Sequence, residues 1–273
     1  MTIRSLALII MLAATGADVS AADLQADTIA AFDRYVRLTE ARMDGELKGS
    51  APFLWLDQLP PPDRKEAHRR LQRGDFVVSR LATLDAGREI DIPHGIVHHW
   101  IGTILIPGAT VDRVMALMQG YERYQSIYAP NVRQSRTIEH QGDRYTVYLQ
   151  LFMKKVISVV LNTSNDVHYA RLGTGRANVR SYSTRIAEVQ NVDAANQSEL
   201  PVGQDSGFLW RFNNYCSLDE QSDGTYVQCE SLSLSRGIPA GLGWVVGPFV
   251  TSIPRETLEF TLGHMRSALT APR

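Results

Sequence analysis

His94, His98 and His99 lie close together, and His94 and His98 share one face if their segment is a strand. A closed metal site takes three or four ligands. Strand residues four apart are about 13 Å apart, too far to share one ion on a straight chain. The expectation is hydrogen-bonded imidazoles at a strand start, with no metal and no cofactor. Serine-nucleophile motifs of the G-x-S-x-G or S-x-x-K type, H-E-x-x-H, C-x-x-C and the phosphate loop are absent. Gly173-Thr174-Gly175 and Gly241-Leu242-Gly243 read as turns. An active site would therefore be assembled from distant residues. The polar groups on strands that suit such an assembly are Arg180, Arg185, Arg211, Asn213, Tyr215 and Glu230.

Their placement depends on one hairpin. Phe208 to Leu218 and Thr225 to Leu234 flank the turn-like stretch Asp219 to Gly224. Centred on Ser222 and Asp223, the hairpin sets Tyr215 opposite Glu230, with Arg211 and Asn213 on the same face, so that an arginine, an amide, a phenol and a carboxylate converge. The cluster either orients a polar ligand head or stands as solvated strand charge; burial would demand a salt bridge or bound anion. The same register sets Cys216 opposite Cys229. They are read as a disulfide, or else as two small buried apolar side chains.

The elements around the hairpin follow from periodicity. Asp27 to Leu47 carries Ile29, Phe32 and Val36 at helical spacing, and Pro62 to Gln72 reads as a second helix. Between them Phe53 to Leu56 is too apolar for a loose tether. From Phe76 the period becomes two: Phe76 to Ala82, Glu89 to Ile92 and Gly95 to Ile106 read as strands. Thr110 caps a helix with Val111, Val114, Met115 and Met118 on one face. Consecutive strands follow over Arg133 to Glu139, Arg144 to Met153, Ser158 to Leu161 with Val167 to Arg171, and Arg176 to Val189. Asn191 to Gln204 reads as a surface loop, the most flexible segment. Ser252 to Glu256 reads as a helix start, followed by Leu258, Leu262, Met265 and Leu269 as a narrow apolar stripe.

The chain has 273 residues, 44% hydrophobic and 21% charged, with a net charge of -1. That balance buries a core and lacks the basic excess of a nucleic-acid binder. Arg4, the apolar run Leu6 to Ala14 and the small residues Val19-Ser20-Ala21 or Ser20-Ala21-Ala22 read as a signal peptide over residues 1–21. The run is short of the roughly 20 apolar residues of a membrane anchor, the competing reading. A periplasmic or secreted location is expected.

GIVHHWIGTILIPGAT (Gly95 to Thr110), GFLWRFNNYCSL (Gly207 to Leu218), CESLSLSRGIP (Cys229 to Pro239) and SIPRETLEFTLGHMRSAL (Ser252 to Leu269) resemble exported bacterial members of the START-like superfamily, also called SRPBCC or polyketide-cyclase-like. The resemblance covers about residues 74 to 270. It implies an α+β helix-grip fold: a curved antiparallel sheet wrapped around a long C-terminal helix, with a tunnel between them for an apolar ligand. Residues 22–73 form an N-terminal helical extension to the 74–273 domain.

The expected function is thus an exported protein holding an apolar, lipid-like molecule in that cavity, with possible transient membrane contact. Candidate lining residues are Trp100, Tyr148, Phe152, Arg180, Trp210, Arg211, Asn213, Tyr215, Glu230, Leu262 and Met265. The aromatic and methionine side chains among them suit a packed core equally well. An enzyme performing cyclisation, dehydration or hydrolysis there, with Glu230, His98 or Tyr148 as acid or base, is the alternative. A third reading is an envelope interaction protein docking through Phe53 to Leu56. Alternation alone leaves open which sheet face lines the cavity.

Overall fold

The computed structural model describes residues 22–49, 51–154, 158–237 and 243–271. The signal-peptide reading of residues 1–21 lies outside them. In chain order the elements are β1 (Ala22–Asp23), α1 (Ala26–Leu47), α2 (Pro61–Gln72), β2 (Val77–Arg80), β3 (Leu84–Asp85), β4 (Arg88–Glu89), β5 (Gly95–Pro107), α3 (Val111–Met118), α4 (Tyr124–Ile127), β6 (Val132–Gln141) and β7 (Arg144–Lys154). They continue with β8 (Ser158–Arg171), β9 (Arg176–Gln190), β10 (Ser198–Glu199), β11 (Gln204–Asp205), β12 (Arg211–Gln221), β13 (Gly224–Arg236) and α5 (Gly243–Thr270).

Eight strands pair in the order β2-β5-β13-β12-β9-β8-β7-β6, and β10 on β9 completes a nine-stranded antiparallel sheet. The expected helix-grip arrangement is present: α5 lies across the inner face of this sheet, chiefly over β5 and less over β13. Leu258, Leu262 and Met265, the stripe read from spacing, are buried there with Ile104, Ile106, Val227, Leu218 and the α3 face Val114, Met115 and Met118. The close approach needs a residue without a side chain. A Cβ at Gly102 would stand 2.9 Å from Leu262 Cδ1 and 3.0 Å from Leu258 Cδ2. Among the described residues no helix is long and apolar enough to cross a membrane.

Residues 22–73 cover the outer face over β5, β13, β12 and the adjoining part of β9. Phe32, Tyr35 and Met43 of α1 pack on Trp210, Tyr215, Leu232 and Leu234. Leu54, Leu56 and, from α2, Leu71 pack on Leu105 and Tyr226, with Phe53 and Trp55 partly buried beside them. The apolar run at 53–56 is therefore used against the protein's own sheet.

Several boundaries differ from the sequence reading. Ser158 to Arg171 is one strand, because Asn162 to Asp166 pair with both neighbours in spite of their polarity. The 191–204 stretch holds β10 and leads into β11, which pairs with β1. Helix α5 starts at Gly243 rather than Ser252, so Pro254 lies inside the helix it was expected to open, at the loss of a backbone hydrogen bond.

The β12–β13 hairpin turns on Ser222 and Asp223, with Cys216 opposite Cys229 and a disulfide between them. The bridge closes a loop of sequence separation 13. Loop-closure entropy assigns about 3 kcal/mol to such a link. Reduction, or the double change Cys216→Ala/Cys229→Ala, is expected to lower the denaturation midpoint accordingly; an unchanged midpoint would mean that the bridge adds nothing.

Candidate functional site

Strand alternation divides the candidate residues between two faces. Trp100, Leu262 and Met265 lie between the sheet and α5. Arg180, Asn213, Tyr215 and Glu230 stand on the outer face, and Trp210 joins the cluster beneath α1. Tyr148 and Phe152 alternate with the inward Val147, Leu149, Leu151 and Met153, and so face outward as well. Tyr148 donates to Asn162 Oδ1 at 2.8 Å, and the Arg133 guanidinium lies 4.2 Å from the Phe152 ring centre. Arg211 donates to the Trp210 carbonyl at 2.8 Å. Arg185 pairs with Glu199. The expected Arg180, Asn213, Tyr215 and Glu230 group thus borders α1, not the interval under α5.

On that outer face Asn213, Tyr215 and Glu230 come together in the register read from the turn, but the arginine beside them is Arg180 and not the expected Arg211: Tyr215 stands opposite Glu230 and Arg180, and Asn213 donates to the Tyr215 hydroxyl at 3.1 Å. Helix α1 supplies the partners. Glu230, only 3% exposed, pairs with Arg42 and lies 2.5 Å from His99 Nε2. His99 Nδ1 is 2.9 Å from the Tyr35 hydroxyl. Glu40 accepts from Tyr182 at 2.8 Å and Tyr215 at 3.0 Å, and Arg180 binds Asp44 at 2.5 Å. Burial pushes the Glu230 carboxyl up, but the hydrogen bonds and charges of His99 and Arg42 outweigh it and hold it below the usual carboxylate range. Burial raises the Tyr35 and Tyr215 phenols. Glu230, Arg180, Tyr182 and Tyr215 bind α1 side chains directly and His99 through Tyr35, so the network fastens the extension to the sheet.

The inner face carries a different set. On β13 the residues facing α5 beyond Cys229 are Ser231, Ser233 and Ser235, alternating with the outward Leu232 and Leu234. Ser231 stands opposite Trp100 and Asn214, and Asn214 opposite Ser181. One step along, Ser233 stands opposite His98 and Phe212. Ser183 stands opposite Asn165, whose amide donates to Thr163 Oγ1 at 2.9 Å. An uncharged polar belt therefore crosses the inner face. It separates the main core from a second apolar cluster in which Val159, Leu161 and Ile186 are buried and Leu151, Met153, Leu209 and Phe212 only half-buried.

Two nearly buried serines of this belt lack partners. Ser231 and Ser233 are 6% and 5% exposed, and their hydroxyls make no hydrogen bond among the described residues. Their hydroxyl oxygens keep some accessible surface; the fully buried side-chain oxygen without a partner among the described residues is Thr103 Oγ1, on the outer face. His98 Nε2 is 3.0 Å from Ser235 Oγ. Burial, helped by the Arg80 charge, pushes His98 down to about 4. An imidazole protonated only there is a weak general base at neutral pH, so this pair is a hydrogen-bonding fixture and not an activated serine. His94, at φ 57° before β5, turns the chain, and His98 and His99 face opposite sides of the sheet. The alternation Ser-Leu-Ser-Leu-Ser over 231–235 carries the signal for the belt, but it reads equally as a strand with one wet face.

Comparison with protein-family models and with curated proteins returns no match. Among solved structures the chain is similar, at 17% identity and a TM-score of 0.45, to a STAR-related lipid transfer protein fragment from Xanthomonas axonopodis, over 71% of this chain and 99% of that one. It is similar to human STARD10 at 9% identity and a TM-score of 0.44, over 77% and 81%. It is also similar to the Zhui aromatase/cyclase of a Streptomyces strain at 12% identity and a TM-score of 0.40, over 64% and 94%. At these values the fold class rests on this chain's own strand order and gripped helix.

Proposed function

We propose that this chain is an exported protein that holds an apolar small molecule against the inner face of its sheet, beneath α5. The observation that carries the reading is the pair of unpartnered, nine-tenths buried serines, Ser231 and Ser233, on the same inner face as the half-buried Leu151, Met153, Leu209 and Phe212. Nearly buried hydroxyls without a protein partner are left for water or a ligand to meet. A ligand with an apolar body and a few fixed polar contacts meets both needs. The disulfide supports export, since such bridges persist in oxidising compartments. Residues 22–73 act as an extension that closes the outer face over β5, β13 and β12, so that behind Ser231 and Ser233 the inner face is the one left for a ligand. The enzymatic alternative has less support: Glu230 and Tyr148 face away from this space, and His98 is a weak base.

Binding of a fluorescent apolar probe such as diphenylhexatriene tests the reading. Saturable binding is expected to weaken at least tenfold in Leu151→Asp, which places a charge in the half-buried inner patch, and to survive Tyr148→Ala on the outer face. No saturable binding by the unaltered protein, or equal loss in both variants, would contradict it.

A further inference from the structure

The belt is uncharged along its whole length, and that narrows what it can receive. His98, Ser231, Ser233, Asn214, Ser181 and Ser183 offer hydroxyls, amides and a neutral imidazole in adjoining register positions. The strong charges of the neighbouring strands, Arg180 and Glu230, point to the other face and are paired with Asp44, Arg42 and His99. The cation that acts on His98 is Arg80, exposed on edge strand β2, where water and salt screen it. Among the described residues, a carboxylate or phosphate brought to Ser231 and Ser233 would lose its water without gaining a buried cation. A neutral oxygen loses far less: a ligand hydroxyl can accept from one serine while donating to the other, and a carbonyl oxygen can accept from both.

Resting on the binding reading above, we infer that the molecule under α5 presents an uncharged oxygen function, a hydroxyl, ketone or ester, to the Ser231–Ser233 row, and that its carboxylate or phosphate counterparts are discriminated against. The two apolar clusters on either side of the belt give the rest of such a ligand its surroundings.

Displacement of diphenylhexatriene by compounds of matched chain length tests this on the unaltered protein. At pH 8, 1-dodecanol and methyl dodecanoate are expected to displace the probe at least tenfold more effectively than dodecanoate. In Ser231→Ala/Ser233→Ala the dodecanol affinity is expected to fall about tenfold, because two hydrogen bonds are lost, while displacement by dodecane stays the same. Dodecanoate binding as tightly as dodecanol would overturn the inference and leave the cavity reading standing, as would a double variant that keeps its full preference for the alcohol. Failure of the probe and of every aliphatic compound to bind would overturn both.

Discussion

Glu230→Ala is expected to destabilise the protein by about 3 kcal/mol, at the low end of the cost of removing one partner from a buried ion pair. The low end applies because Arg42 is partly solvated and keeps Glu46 as a second partner, whereas His99 is left with a buried, unanswered ring nitrogen. For a chain of this size that corresponds to a melting temperature lower by roughly 6 to 12 °C. The loss should be concentrated at α1, because Glu230 reaches it through Arg42 directly and through His99 and Tyr35. Hydrogen exchange is therefore expected to show α1 amides losing protection ahead of β7 and β8. Replacing the whole set with apolar residues, as in Arg42→Met/His99→Phe/Glu230→Leu, should recover much of the stability, since the desolvation cost disappears along with the attraction. An unaltered melting temperature in Glu230→Ala would mean that the network contributes nothing to holding the extension.

Acid is expected to weaken the protein in two separable steps. The unfolded His98 imidazole takes a proton near pH 6.5 and the folded one only at about 4. Between those values the unfolded chain holds more protons, so stability falls as the pH drops, by roughly 3 kcal/mol in all. Glu230 acts lower. Its folded carboxyl is held below the usual range, so its contribution is complete above about pH 4.5 and is lost only as the pH falls further. Asp205, raised by burial, works in the opposite sense at the acid end. Denaturation midpoints of His98→Gln should be flat between pH 6.5 and 4.5 where those of the unaltered protein decline, and both should fall below that. A flat profile for the unaltered protein would show that His98 is not buried in its neutral form.

Local chemistry explains why the hairpin was legible in the sequence. A turn centred on Ser222 and Asp223 fixes every pairing between β12 and β13, so Cys216 with Cys229 and Tyr215 with Glu230 follow from counting. The cap at Thr110 is equally local, its hydroxyl accepting from the Arg113 amide at 3.3 Å. The facing of the sheet is not local. Glu40 meets Tyr215 across 175 residues, and nothing near Tyr215 announces that α1 rather than α5 covers it. Charged and phenolic strand residues were read toward a ligand because their partners lie far away in the chain. The serines at 231, 233 and 235 carry no clear sequence signal for the converse reason: polar alternation ordinarily marks a solvated face, whereas β13 is covered on both sides. The start of α5 was misplaced because a proline near a helical stripe reads as a first turn, and Pro254 instead sits within the helix.

Native mass spectrometry of the protein purified from its own cell, followed by extraction and analysis of whatever it carries, decides whether a ligand is held beneath α5. A stoichiometric apolar molecule with an uncharged oxygen function, retained in the folded protein and released on denaturation, is expected. A protein mass free of any adduct, and still free after challenge with mixed lipids, would contradict the binding reading.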